Sequence, residues 1–131
     1  MNPKLEGVIF SKNGNLVYRG YYWEEDIFDK RSGRKSGRWY CCNLEDYPGI
    51  NTATHSRDDL LKETHEILES FIEDAIKKEG YVFLPKGTLR RKRAWGFIEF
   101  ELSPELTDRV FDYLESGGRY EYACDTRETY Q

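Results

Sequence analysis

Two groups of side chains in this 131-residue chain are dense enough in one charge to act on a partner. Glu63, Glu66, Glu69, Glu73 and Asp74 crowd one stretch, and Lys86 to Arg93 (KGTLRRKR) holds five cations, Lys86, Arg90, Arg91, Lys92 and Arg93, with no carboxylate. A carboxylate row steers a cationic protein and speeds its association, whereas a cation row suits a phosphate backbone. Trp23 and Tyr47, at the ends of strand-like runs, are candidate buried anchors for a protein partner. Turnover has less to work with. His55 and His65 stand ten residues apart and no C-x-x-C occurs, so the spacing of a zinc site is lacking. No Gly-x-Ser-x-Gly elbow, Walker loop or dinucleotide fingerprint is present. Glu24, Glu25, Glu45 and Asp46 fall in loops or at strand ends rather than on the rigid elements a metal site needs. No catalytic residue, metal or cofactor is therefore expected, and the chain reads as one that acts by binding.

The element that must position the carboxylates is a long helix. Leu60, Leu61, Ile67, Leu68, Phe71, Ile72, Ala75 and Ile76 recur at three- and four-residue steps, with Thr64 on the same stripe, which is one helical face. Ser56 is suited to the N-cap, Asp59 can close a capping box, and Asp58 favours the positive helix end. Lys77 and Lys78 suit the last turn, and Gly80 is the expected left-handed stop. A sheet is the expected cover for the stripe, and Phe71→Ala is expected to cost about 3–5 kcal/mol. Asp46-Tyr47-Pro48-Gly49 is a turn signature, and Ile50 to Thr54 reads as a strand leading into the cap.

Leu5 to Ser11 and Leu16 to Trp23 read as strands joined by an Asn13-Gly14 hairpin turn. The second has aromatics on both faces, Tyr18 and Tyr22 on one and Tyr21 and Trp23 on the other, which predicts a strand covered on both sides. Glu24 to Gly37 is polar, acidic at its start and basic at its end (Lys30, Arg31, Arg34, Lys35, then Arg38), and reads as a mobile, solvated connection. Trp39 to Leu44 is the partner strand; its neighbours Cys41 and Cys42 point to opposite faces and read as reduced thiols. Tyr81 to Leu84 is a short strand that joins the same sheet. Ala94 to Leu102 alternates, with Glu99 and Glu101 on its wet side. Ser103-Pro104-Glu105 opens a second helix, with Leu106, Val110, Phe111 and Leu114 as its buried stripe. Gly117-Gly118 stops it, and Arg119 to Cys124 adds a last strand, with a loose tail from Asp125.

The size suits a single domain over residues 1–131, with a core at about 5–87 and an extension at 88–124. The fold class is α+β: a mixed or antiparallel sheet with one long helix packed on it, plus a C-terminal strand-helix-strand extension. The chain is 34% charged and has ten Tyr and seven Phe, which excludes a disordered chain. No segment approaches a bilayer span and the start MNPKLEGVIF lacks the apolar core of a signal peptide, so a cytoplasmic protein with no membrane partner is expected.

The order of parts resembles the N-terminal domain of HicB antitoxins. The matching residues are Leu44, Asp46, Pro48, Gly49, Ile50 and Thr52, then Leu60, Leu61, Ile67, Leu68 and Phe71, and finally Val82 to Pro85, within about residues 15–87. The departures are the long basic loop before the second strand and bulkier or polar residues, such as Thr64, where the family's helix has alanines. The resemblance implies a trimmed ribonuclease H-like fold. It implies a toxin-antitoxin protein that inhibits a basic HicA-like ribonuclease by covering it. Phe97 to Leu106 also resembles the opening of a ribbon-helix-helix, yet a DNA-reading ribbon would present Glu99 and Glu101 to phosphates, and no second helix follows. That leaves two alternatives: a stand-alone HicB-like inhibitor of a defence nuclease on a phage or mobile element, and a nucleic-acid-binding protein using 86–93. A homodimer also stays open.

Overall fold

The computed structural model of the chain describes residues 5–92 and 95–123. Arg93, Ala94, Cys124 and the tail lie outside them. In chain order the elements are β1 (Val17–Phe28), β2 (Lys35–Leu44), β3 (Asn51–Thr54), α1 (Arg57–Lys77), β4 (Tyr81–Leu84), β5 (Gly96–Glu101), α2 (Pro104–Glu115) and β6 (Arg119–Tyr122). The fold is α+β. An antiparallel sheet is ordered β3-β2-β1-β5, and a parallel two-stranded sheet joins β4 to β6.

The helix begins as its sequence dictates. Ser56 Oγ accepts from Asp59 N at 3.3 Å, and the first turn carries Asp58 and Asp59. Leu60, Thr64, Leu68 and Ile72 are buried, four residues apart, so the face toward the sheet is the i, i+4 row. Phe71 and Leu61, expected within that stripe, lie at its margins, 43% and 36% exposed. The expected cost of Phe71→Ala is therefore too high for this site. The helix stop differs too. Gly80 N donates to Ala75 O at 2.8 Å, but the residue in the left-handed region is Glu79, at φ 54°. The closing turn needs its positive φ one residue earlier than the glycine.

The connection expected over Glu24 to Gly37 is mostly strand. β1 and β2 stay paired from Gly20↔Leu44 to Phe28↔Lys35, and Asp29 Oδ1 closes the turn by accepting from Arg31 N and Ser32 N. Opposite charges that sit near each other in sequence face each other across the hairpin. Lys35 lies 3.1 Å from Asp26, and Arg38 lies 2.7 Å from Glu24 and 3.2 Å from Asp26. At the other end of the chain, the expected Leu5 to Ser11 strand is reduced to isolated bridges, Val8↔Lys86 and Phe10↔Leu16.

β4 does not join the main sheet, because β5 takes the free edge of β1, from Val17↔Glu101 to Tyr22↔Gly96. β4 pairs instead with β6, from Tyr81↔Arg119 to Leu84↔Tyr122. The C-terminal segment is thus built into the core. Leu102, Leu106, Val110 and Leu114 belong to the same buried cluster as Leu60, Leu68 and Ile72. Leu16 N, the first residue before β1, donates to Thr107 Oγ1 of α2 at 3.3 Å.

Candidate functional site

Residues directly opposed in a strand pair share a face of the sheet, so the register sorts every side chain. One face carries Tyr18, Tyr22, Cys42 and Thr52; the Thr52 hydroxyl meets that of Thr64, which fixes this as the side covered by α1. The other carries Tyr21, Trp23, Cys41, Trp39 and Phe97. Cys41 and Cys42 are both buried and free, on opposite faces as expected. Burial pushes the Cys42 thiol up to about 12, so it stays protonated and is a poor nucleophile.

The structure divides the residues expected to bind a protein partner. Glu63 and Glu66 are exposed on the outer side of α1 and form no ion pair among the described residues. Glu69 turns toward α2, where its Oε2 accepts from Ser103 N at 2.9 Å and so satisfies a backbone donor at the N-cap of that helix. Glu73 lies 3.5 Å from Arg109, and Asp74 pairs with Lys78 at 3.1 Å. Tyr47 is no surface anchor: it is 4% exposed and packs with Tyr18, Phe83 and Phe71. The anchor position on this side belongs to Phe71, whose ring rests edge-on against Tyr47 and leaves its far side in water.

Trp23 lies on the opposite face and cannot act together with α1. Its indole stacks on Trp95, with centroids 4.3 Å apart and planes 12° apart, and its Nε1 donates to Glu25 at 2.8 Å. Trp39 stacks on His55 in the same way, at 4.0 Å. This is the face expected to be covered. Among the described residues its cover comes from the N-terminal segment, whose Ser11 and Asn15 hold Glu101 at one end, and from the segment that follows β4. Tyr21 OH donates to Arg90 O at 2.6 Å, Lys92 Nζ lies 4.5 Å over the Tyr21 ring and 4.9 Å over Trp95, and Arg19 donates to Gly87 O at 2.7 Å. Arg19 is itself held by Asp46, which is fully buried and 2.7 Å away. The basic run is therefore split. Lys86 turns to the Tyr122 ring at 4.4 Å, whereas the Arg90 carbonyl and the Lys92 ammonium meet Tyr21 on the open sheet face, and Arg91 between them is exposed.

Among the described residues no three His, Cys, Asp or Glu side chains are grouped to hold a metal ion. His65 meets the backbone carbonyl of Glu101 at 2.8 Å. The aromatic pairing across the open face had no signal in sequence spacing, since Trp39 and His55 lie on different strands or beyond them and Trp95 precedes β5. Among the described residues no helix is long and apolar enough to cross a membrane. No protein-family model matches the chain, no curated protein matches it, and no solved structure matches it.

Proposed function

We propose that this chain works by binding rather than turnover, as a HicB-like inhibitor that covers a basic, HicA-like ribonuclease with the outer side of α1. The observation that carries this reading is Phe71, a phenyl ring 43% exposed on the helix that also bears Glu63 and Glu66, carboxylates with no ion pair among the described residues. A half-exposed ring already packed on one side can fill a partner's pocket at little entropic cost, and carboxylates on the same helix speed the approach of a cationic surface. Glu69, Glu73 and Asp74 serve the fold first. Reversing Glu69 or Glu73 would disturb the α1–α2 contact and confuse unfolding with lost binding.

The test uses the product of the adjacent reading frame where that frame encodes a short basic protein. Its ribonuclease activity is measured alone and with this chain, then with Glu63→Lys/Glu66→Lys and with Phe71→Ala. Suppression by the parent chain that weakens at least tenfold in both variants, with unchanged circular dichroism, supports the reading; tenfold corresponds to about 1.4 kcal/mol. Full suppression by a folded double variant removes α1 as the interface.

A further inference from the structure

We propose that the open face of the main sheet is a binding site for single-stranded nucleic acid. In this site, unpaired bases stack on the rings around Trp23 and Trp39, and phosphates run beside Arg90, Arg91 and Lys92. The site goes beyond the α1 reading and shares no residue with it.

Three observations lead there. The first is the rings: two near-parallel pairs, Trp23 on Trp95 and Trp39 on His55, stand on one face of the sheet, with planes 12° and 27° apart. Beside them is Phe97, 52% exposed, whose ring contacts Tyr21 at 5.8 Å. Each stacked pair uses one side of its rings; Lys92 already lies over Trp95, so the π-surface offered to a base is that of half-buried Trp23 and Trp39 and exposed His55.

Charge is the second. Arg90 and Arg91 are exposed and form no ion pair among the described residues, and Lys92 sits over the rings themselves. The segment is fastened there by the Tyr21 hydroxyl and by Arg19, so its cations are held at the edge of the ring platform. Of the acids on this face, Glu25 lies among the rings, opposite Trp39 in register, and Glu99 and Glu101 lie away from them. Glu25 is occupied by the Trp23 indole N–H. Glu99 pairs in register with Arg19, and Glu101 is held by Ser11 and Asn15, toward the other end of the face. The aromatic and cationic end therefore holds one carboxylate, already engaged by an indole, and the other end holds two.

Shape is the third. The rings lie on the surface of a sheet and are not carried on a protruding helix or ribbon, so a duplex would meet the cations but keep its bases out of reach. Only unpaired bases can use both features. An acidic peptide could use the cations, but its carboxylates would gain nothing from the outer ring faces.

The full chain is titrated into labelled single strands of about ten nucleotides. One is thymidine-rich DNA and one uridine-rich RNA, with a duplex of equal length and polyglutamate as the other arms, at several salt concentrations. Single strands are expected to quench tryptophan emission and to bind at least about tenfold tighter than duplex or polyglutamate; binding of either sugar supports the site. Trp39→Ala should weaken binding at least about fivefold, with Trp39→Phe retaining most of it. Arg90→Ala/Arg91→Ala should lower the slope of log affinity against log salt by about 1.4. Equal affinity for duplex or polyglutamate overturns the proposal, as does undiminished binding by folded Trp39→Ala. If Trp39→Ala does not fold, the arginine pair decides, and an unchanged salt slope overturns the proposal. Glu63→Lys/Glu66→Lys should leave this binding intact, which separates its failure from that of the α1 interface.

Discussion

On the helix side of the main sheet, Tyr18 is fully buried and its hydroxyl donates to Phe83 O at 2.6 Å. Five residues further along the same strand but on the other side, Trp23 is half-buried and rests on another indole. The contrast shows what cover does to an aromatic residue. A ring sealed under a helix loses water and must give its polar atom a protein partner, while its apolar area contributes directly to stability. On the open side Tyr21 is sealed in the same way by the basic segment, whereas Trp23, beyond that cover, keeps part of its surface in water and rests on a neighbouring ring. Core packing resides on the covered face, and exposed ring surface is left on the open one.

The largest expected effect tests a part of the open face that is built like the core. Arg19 reaches Asp46, which is fully buried, and also fastens Gly87. Arg19→Ala removes both guanidinium bonds from that carboxylate, leaving it the Arg19 backbone N–H, and should cost about 3 kcal/mol in denaturant unfolding. A cost below about 1 kcal/mol would mean that the pair is solvated and the basic segment is held otherwise. Next comes the direct contrast. Leu68→Ala under the helix should cost about 2–5 kcal/mol, and Trp39→Ala on the open face under about 2 kcal/mol, with Phe71→Ala nearer 1. Equal costs for Leu68 and Trp39 would break the comparison.

A smaller effect lies at the end of α1. Glu79 holds φ 54°, where a side chain is strained and glycine is not, so Glu79→Gly should raise stability by about 1 kcal/mol. A loss of thermal stability would show that the Glu79 side chain makes a compensating contact. The smallest effect is expected at the hairpin end. The Tyr22 hydroxyl and Arg38 hold the Glu24 carboxyl below its usual range, and Lys35 and Arg38 do the same for Asp26. A depressed folded pKa means that the stabilisation is complete above the ordinary carboxylate range and is lost as pH falls through the lowered value. Amide protection over 24–38, relative to the intrinsic exchange rate at each pH, should therefore fall in acid below that range, before amides under α1 respond. Simultaneous loss of both would show the hairpin end to be part of the core.

Much of the local structure was legible in residue order. Ser56 and Asp59 marked the start of α1, Ser103 and Pro104 that of α2, and Asn13-Gly14 and Pro48-Gly49 the tight turns, because caps and turns are decided by atoms a few bonds apart. Alternation along β1 correctly divided Tyr18 and Tyr22 from Tyr21 and Trp23. The acidic row was visible as a row. What its members touch was not, since Glu69 meets Ser103 across a separation of 34 residues.

Only the tertiary structure decided which strand lies beside β1, that β4 finds β6, that Phe71 stays in water while Tyr47 does not, and that Arg90 to Lys92 are fastened next to stacked tryptophans. Periodicity reports the angle at which a side chain leaves its own element, whereas burial and pairing depend on what the rest of the chain brings to that side. These choices are made by contacts distant in sequence, where no local spacing rule applies.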